Sequence, residues 1–232
     1  MNNIGIIGAM DEEVDVLVEL MDIEEKVEKA SLKFYRGTLE GKNVVVVRCG
    51  IGKVNAALCA QILISEFSVE AVVNTGVAGA IHDILEVNDI VISTDAIQYD
   101  FDTTVFGHKK GEIPRMDNST FIADERLITA AYESSVKQAK NNKVYKGRVV
   151  TGDVFISSME LKNELMNDFK AHCGEMEGGA IAHVCELNKT PFVIIRAMSD
   201  KADGSADVIY EEFVKEAADN SKDIVLNMLR SL

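Results

Sequence analysis

Ile4-Gly5-Ile6-Ile7-Gly8-Ala9-Met10-Asp11-Glu12-Glu13 joins an apolar run to a turn and an acidic cluster. The run Ile4–Ile7 is short, continuous and apolar, which is typical of a buried strand. Apolar residues then recur at i, i+3, i+4 and i+7, and this spacing indicates an amphipathic helix that begins near Asp11. The residues of this stripe are Val14, Leu17, Val18 and Met21. The first unit of the chain is therefore a strand, a turn and a helix.

The same alternation continues along most of the chain. Strands are predicted at 4–7, 32–39, 44–48, 71–74, 89–99, 145–150 and 192–198, and helices at 54–67, 124–139, 159–169, 177–187 and 206–229. Glu40-Gly41-Lys42-Asn43 reads as a hairpin turn. This order predicts an α/β fold, a three-layer α/β/α sandwich with a central mixed, twisted β-sheet. No linker interrupts it, so residues 1–232 are expected to form a single domain.

Bulk composition excludes several classes of partner. A net charge of −14 argues against binding to nucleic acid or an anionic membrane, since both require a basic surface. No apolar stretch approaches the ~20 residues that span a bilayer, and the N-terminus lacks a basic region that would mark a signal peptide. The cysteines show no C-x-x-C spacing, so reduced thiols and a cytoplasmic location are expected.

A metal site is also not expected. His172, Cys173, His183 and Cys185 are close in sequence, but His183 and Cys185 are two residues apart on a predicted helix and point to different faces.

Acidic residues sit at the ends of predicted strands and at a helix start. They are Asp11-Glu12-Glu13, Glu175-Met176-Glu177 and the end of Arg196-Ala197-Met198-Ser199-Asp200. In α/β folds ligands bind beyond the carboxyl ends of the strands, and an unpaired charge among apolar residues costs several kcal/mol. Helix-dipole chemistry accounts for Asp11 and Glu12 but leaves Glu13 free to face a cleft. Converging acids of this kind indicate a reaction site.

Other segments near the predicted strand ends have two interpretations each. Gly50-Ile51-Gly52-Lys53 and Gly76-Val77-Ala78-Gly79-Ala80 read as tight turns, or as places where backbone approaches a small ligand. Neither matches a phosphate loop or a dinucleotide fingerprint. Phe155 packs in the core or stacks on a flat base. The irregular segment 100–118 is longer than ordinary loops, which favours a functional role.

The ordered motifs resemble bacterial 5′-methylthioadenosine/S-adenosylhomocysteine nucleosidases, of the nucleoside phosphorylase-like superfamily. The resemblance covers essentially the whole chain. It is carried by Gly5–Glu13, Cys49–Ala57, Asn74-Thr75-Gly76, Gly152-Asp153, Glu175-Met176-Glu177 and Arg196–Asp200.

This resemblance implies roles for individual residues. Asp200 would be the general acid that protonates adenine N7, oriented by Ser199. Glu13 would be the base that activates water, with Arg196 ordering that end of the site. Glu177 would bind the ribose hydroxyls. The substrate-binding residues implied are Met10, Ile51, Val77, Gly79, Phe155, Ile156, Glu175, Met176 and Tyr210, with Phe106 and Pro114 from the other subunit of a homodimer.

The implied substrates are 5′-methylthioadenosine, S-adenosylhomocysteine and 5′-deoxyadenosine, and no cofactor is implied. Val77 replaces a common serine, and Asn88 stands where related phosphorylases carry a phosphate-binding arginine. The acidic loop at 11–13 would hold a phosphate dianion poorly, which favours hydrolysis over phosphorolysis. The alternatives are a hydrolase for a futalosine-type nucleoside, a purine nucleoside phosphorylase, a non-catalytic adenosine-binding protein and a dinucleotide oxidoreductase.

Overall fold

The computed structural model describes residues 1–138, 142–203 and 206–232, with the backbone alone for 206–212 and 214. Within these ranges the strands are β1 (Asn3–Gly8), β2 (Asp22–Lys29), β3 (Leu32–Leu39), β4 (Lys42–Arg48), β5 (Ala71–Ala80), β6 (Ile90–Gln98), β7 (Thr120–Ile122), β8 (Val144–Thr151), β9 (Cys173–Glu175) and β10 (Phe192–Asp200). The helices are α1 (Asp11–Leu20), α2 (Lys53–Phe67), α3 (Glu125–Gln138), α4 (Met159–Phe169), α5 (Gly178–Asn188) and α6 (Ala206–Ser231).

All ten strands belong to one mixed sheet, as the predicted fold class requires. β1 lies between β4 and β5 and is parallel to both. Because β5 also pairs with β10 and with β9, the strands β5, β10, β6, β8 and β9 close into a ring, which the sequence analysis did not predict. β1, β4, β3 and β2 extend this ring as an open sheet.

Helices cover both sides of the sheet. α1 and α3 pack against α6, whereas α2 packs against α5. The parallel strands between them are buried along most of their length and mostly apolar, as expected for strands covered on both faces. Among the described residues, none of the helices combines the length and the apolar composition that crossing a membrane requires.

Several elements differ from the sequence predictions. β2 was not predicted because the edge strand Asp22–Lys29 is mostly charged and exposed. β7 and β9 were missed because each has only three residues. Gly76–Ala80 was predicted as a turn and is instead the second half of β5, where it continues to pair with β10. The predicted end of the third helix, Ala139, lies outside the described residues.

Candidate active site

The carboxyl ends of β1 and β10 and the second half of β5 open on a cavity of about 360 Å³. Most of the residues predicted for the site line it together with Ala9, Ala78 and Gly174, which were not predicted as site residues. The predicted residues in the lining are Met10, Glu13, Ile51, Val77, Gly79, Phe155, Glu175, Met176, Glu177, Ser199 and Asp200.

Glu13 lies in the first turn of α1, and its carboxylate turns back toward the end of β1. Its Oε2 accepts the N–H groups of Ala9 (2.6 Å) and Met10 (3.1 Å), and its Oε1 accepts that of Val77 on β5 (3.1 Å). Burial raises the pKa of Glu13, and the charge of Arg196 and these N–H donors lower it. The result is a buried carboxyl group that three backbone donors hold in one position.

Gly76 leaves room for this carboxylate. A Cβ atom at Gly76 would stand 2.3 Å from Glu13 Oε1, closer than any real contact. The backbone of β5 therefore approaches Glu13 directly, which is the close approach that glycine permits.

Asp200 ends β10, immediately after an irregularity in its pairing with β5. The register shifts between Met198 and Asp200, so that Asp200 lies opposite Gly79. Bulges of this kind re-aim a side chain. The Asp200 Oδ2 atom lies 2.8 Å from the Ser199 hydroxyl, and Oδ1 accepts the Ala202 N–H at 2.7 Å. Burial raises the pKa of Asp200, and these two hydrogen bonds lower it.

Arg196 lies beneath the cavity, with only 2% of its surface exposed. Its Nη2 donates to Glu175 Oε2 and to Asn74 Oδ1, both at 2.6 Å. No hydrogen bond joins it to Glu13 among the described residues, so it acts on Glu13 through its charge alone. It therefore orders the site mainly through Glu175.

Glu175 is occupied by internal donors. Besides Arg196, its Oε2 accepts the N–H groups of Glu177 (3.0 Å) and Gly178 (2.6 Å), and its Oε1 accepts the Thr151 hydroxyl. It thus fixes the first residues of α5, and both of its carboxylate oxygens accept hydrogen bonds from groups of the protein.

Glu177 is the residue that precedes α5, and its carboxylate lines the cavity. Its Oε1 accepts the Gly52 N–H at 2.8 Å, from the loop before α2. Burial, followed by the charge of Glu175, raises the pKa of Glu177 to about 8. Its surroundings therefore favour the neutral form of Glu177 more than water would.

Three segments around the cavity meet in a polar cluster made of Lys53, Asp100 and Asp153. Lys53 Nζ donates to Asp100 Oδ1 (2.6 Å), its backbone N–H donates to Asp153 Oδ1 (2.8 Å), and the Asp153 N–H donates to Asp100 Oδ2 (3.0 Å). The cluster joins the start of α2, the start of the 100–118 segment and the loop that carries Phe155.

Apolar groups form the remaining walls. Phe155 and Met176 line the cavity, and Ile51 stands at its edge with 56% of its surface exposed. Ile156 does not line the main cavity. It lines a smaller adjoining pocket of about 30 Å³ that also includes Gly79, Phe155 and Asp200.

Other predicted site residues lie outside the cavity. Phe106 is 80% exposed in a 3₁₀ turn and Pro114 is half-buried, and neither reaches the cavity of its own chain. The side chain of Tyr210 lies outside the described residues, so its prediction remains open. His183, which the sequence analysis did not expect to bind a metal, stacks on Phe121.

Sequence reasoning assigned no role to two polar residues that support the site. Thr151 holds Glu175 and also accepts the Gly179 N–H at 2.6 Å, and Asn74 holds Arg196 and donates to the Ile7 carbonyl at 3.0 Å. Thr151 follows Val149 and Val150 at the end of β8, and Asn74 follows three apolar residues in β5. This position beside a short apolar run does not by itself show which groups the polar residue will hold.

Comparison with known proteins adds family membership to this geometry. Residues 3–230 match the model of the phosphorylase superfamily. A 5′-methylthioadenosine/S-adenosylhomocysteine nucleosidase of Staphylococcus carnosus is 43% identical over 230 residues, which are 99% of this chain and 100% of that protein. The chain belongs to this nucleosidase family. It is therefore an N-glycosyl hydrolase by family, as the resemblance predicted.

Solved structures agree with this assignment. The nucleosidase of Neisseria meningitidis, in complex with methylthio-immucillin-A, superposes with a TM-score of 0.95 at 39% identity and covers 100% of both chains. A futalosine hydrolase of Helicobacter pylori superposes with a TM-score of 0.94 at 32% identity, covering 100% of this chain and 98% of that one. The predicted fold class is confirmed, and the fold is shared by hydrolases with different named substrates.

Proposed function

We propose that this chain hydrolyses the N-ribosidic bond of 5′-methylthioadenosine and S-adenosylhomocysteine, and of 5′-deoxyadenosine, with release of adenine. The observation that carries the proposal is a single cavity holding two separately fixed, buried carboxyl groups, Glu13 and Asp200. Burial raises the pKa of both. Two such groups match a reaction that needs one proton donor and one proton acceptor.

Asp200 is the proposed general acid. Departure of adenine leaves an oxocarbenium-like sugar, and the base leaves more readily when its N7 is protonated. A carboxyl group can donate that proton near neutral pH only if its surroundings raise its pKa. The burial of Asp200 meets this condition, and the Ser199 hydroxyl and Ala202 N–H stabilise the carboxylate left after transfer.

Glu13 is the proposed general base for the attacking water. Three backbone donors hold its carboxylate at the cavity wall, so it needs no reorganisation when it takes a proton. Glu177 is proposed to accept hydrogen bonds from the ribose hydroxyls, and Met176 to pack on the sugar. Arg196 and Glu175 are proposed to position these groups from below.

The remaining lining suits the rest of the substrate. Phe155 is proposed to stack on adenine, with the Ile156 backbone and Gly79 at the edge of the base. Met10, Ile51 and Tyr210 are proposed to border an apolar slot for the 5′-thio group, and Val77 is proposed to lie near the ribose.

We further propose that residues 1–232 act as one catalytic domain and form a homodimer. Large exposed apolar residues support it, since such residues mark protein interfaces when they gather. They include Ile51, Val54 and Leu58 around the first turns of α2, Val105 and Phe106 in the 100–118 segment, and Val154. In this arrangement the partner's Phe106 and the partner's Pro114 complete the thio slot.

The test is adenine release from methylthioadenosine and adenosylhomocysteine in phosphate-free buffer, with futalosine in parallel. Release without phosphate supports the nucleosidase. Release only with phosphate would make the chain a phosphorylase and remove the role of Glu13. Binding without any release would identify a binding protein.

A futalosine-type nucleoside is the second candidate substrate, because the Helicobacter pylori futalosine hydrolase has nearly the same fold. The apolar lining around Met10 and Ile51 favours a thioether over a polar substituent. A higher kcat/KM for futalosine than for methylthioadenosine would reverse this order.

A further inference from the structure

Lys162 lies on the inner face of α4, where an apolar residue is the usual choice. Only 6% of its surface is exposed, and it shares this face with Leu165 and Phe169. Those two residues belong to an apolar cluster that also includes Ile156 and Ala202. Lysine is almost never fully buried without a partner for its charge, so its place here needs a reason.

The partner of Lys162 is the backbone just after Asp200. Lys162 Nζ donates to the carbonyl oxygen of Lys201 at 2.8 Å. The same peptide unit carries the Ala202 N–H, which donates to Asp200 Oδ1 at 2.7 Å. A single peptide plane is thus held at its oxygen by Lys162 and at its N–H by the proposed acid. Hydrogen bonds in such a chain polarise and strengthen one another.

The backbone at this point adopts a conformation that needs support. Ala202 has φ of +50°, in the left-handed region that residues with a Cβ seldom adopt. Gly79 on β5 lies against this turn. A Cβ atom at Gly79 would stand 3.0 Å from both the Ala202 Cβ and Asp200 Oδ1. The turn after β10 is therefore fitted closely to its surroundings, with Lys162 holding its outer side.

We propose that Lys162 is a positioning residue for Asp200: its ammonium orients the Lys201–Ala202 peptide toward Asp200 and stabilises the carboxylate formed when Asp200 gives up its proton. This inference rests on the proposed role of Asp200 as the acid. Lys162 itself touches neither substrate nor reacting atoms in this arrangement.

The charges around Asp200 agree with this role. Burial raises the pKa of Asp200, the Ala202 N–H and the Ser199 hydroxyl lower it, Asp203 raises it, and Lys162 lowers it. Lys162 is thus the cation that opposes the effects of burial and Asp203. Removing its charge should raise the pKa of Asp200 and make it a weaker acid.

The experiment compares the pH dependence of adenine release for Lys162→Met, Lys162→Gln and Lys162→Arg. Because the acid must be protonated, activity falls on the alkaline side as Asp200 ionises. We expect Lys162→Met to move this alkaline limb of kcat upward by about 0.5–1 pH unit and to lower kcat at neutral pH about 10-fold. Lys162→Gln keeps a donor for the Lys201 carbonyl, so it should show the same pH shift with a smaller loss of rate. Lys162→Arg should stay close to wild type.

Lys137→Met is the matched control, since Lys137 is an exposed lysine in the last turn of α3 and its loss changes the net charge equally. A folded Lys162→Met protein whose alkaline limb coincides with that of wild type would overturn the inference, even if its rate were lower. If Lys162→Met does not fold, the same comparison is made with Lys162→Gln. An alkaline limb of kcat that coincides with that of wild type would then overturn the inference.

Failure of the proposed function would look different. If Asp200→Asn released adenine at a near-normal rate, Asp200 would not be the general acid, whatever the Lys162 variants show. With Asp200 as the acid, adding Lys162→Met to Asp200→Asn should cost little further rate, since residues that act as a unit are non-additive. A full additional loss in the double variant would also overturn the inference.

Discussion

Asp200 combines two properties that a general acid needs in this cavity. It is 2% exposed, so that its neutral form is favoured, and it keeps two donors that stabilise its ionised form. We expect Asp200→Asn to retain nucleoside binding and to lower kcat by about 10²–10⁴-fold, because the amide cannot supply the proton. Single-turnover adenine release and calorimetric binding measure the two effects. Asp168→Asn, at an exposed position on α4, is the control, and a near-normal rate for Asp200→Asn would refute the assignment.

Glu12, the residue before Glu13, provides a matched control for a substitution of Glu13. Glu12 is exposed, whereas Glu13 is 6% exposed and accepts three backbone N–H groups. Glu13→Gln should still bind substrate but lose hydrolysis by about 10²–10⁴-fold, since the amide cannot take a proton from water. Glu12→Gln should behave like wild type. Equal rates for the two variants in the phosphate-free assay would mean that another group activates the water.

At the scale of elements, the polar cluster of Lys53, Asp100 and Asp153 joins three segments that border the cavity. It fixes the loop whose Gly52 N–H holds Glu177, and it fixes the loop that carries Phe155. Lys53→Met removes the ion pair with Asp100 and should lower kcat/KM about 10-fold, because small displacements of positioning groups are costly. Steady-state kinetics measures this change, with Lys33→Met on β3 as an exposed control. Unchanged kcat/KM at low and high salt would show that the two loops keep their positions without this ion pair.

Also at the scale of elements, the sequence predicts some of the strands and not others. β1, β4 and β10 were predicted because strands buried on both faces are continuous apolar runs. β2 is a charged edge strand whose pairing with β3 depends on tertiary context, and β9 is too short to show a period. Neither the closing of five strands into a ring nor the continuation of β5 through Gly76 leaves a local pattern.

The acids were predictable for a different reason from their supports. Glu13, Glu177 and Asp200 stand beside apolar runs, where a carboxylate is unusual. Thr151, Asn74 and Lys162 are polar residues of ordinary frequency in a strand or helix, and their importance appears only when distant segments meet. Arg196 was predicted in the site, but its partner Glu175 and its place beneath the cavity needed the structure.

At the scale of the whole molecule, the proposed homodimer would complete the site with residues of a second chain. Phe106 and Val105 are 80% and 84% exposed and do not line the cavity of their own chain. Val54, at 79% exposure, begins an apolar face on α2. A monomer would leave these groups in water, so the exposed surface itself favours assembly.

A mixture of two defective variants tests this assembly. Phe106→Ala should lower kcat/KM for methylthioadenosine about 10-fold, because the partner's thio slot loses a wall, and Asp200→Asn should be nearly inactive. In a mixed dimer, the site with an intact Asp200 receives an intact Phe106 from the other chain. Refolding the two variants together should therefore restore kcat/KM above the mean of the separate preparations, with light scattering showing the dimer. Strictly additive activity, or a monomer at assay concentration, would mean that each chain completes its own site.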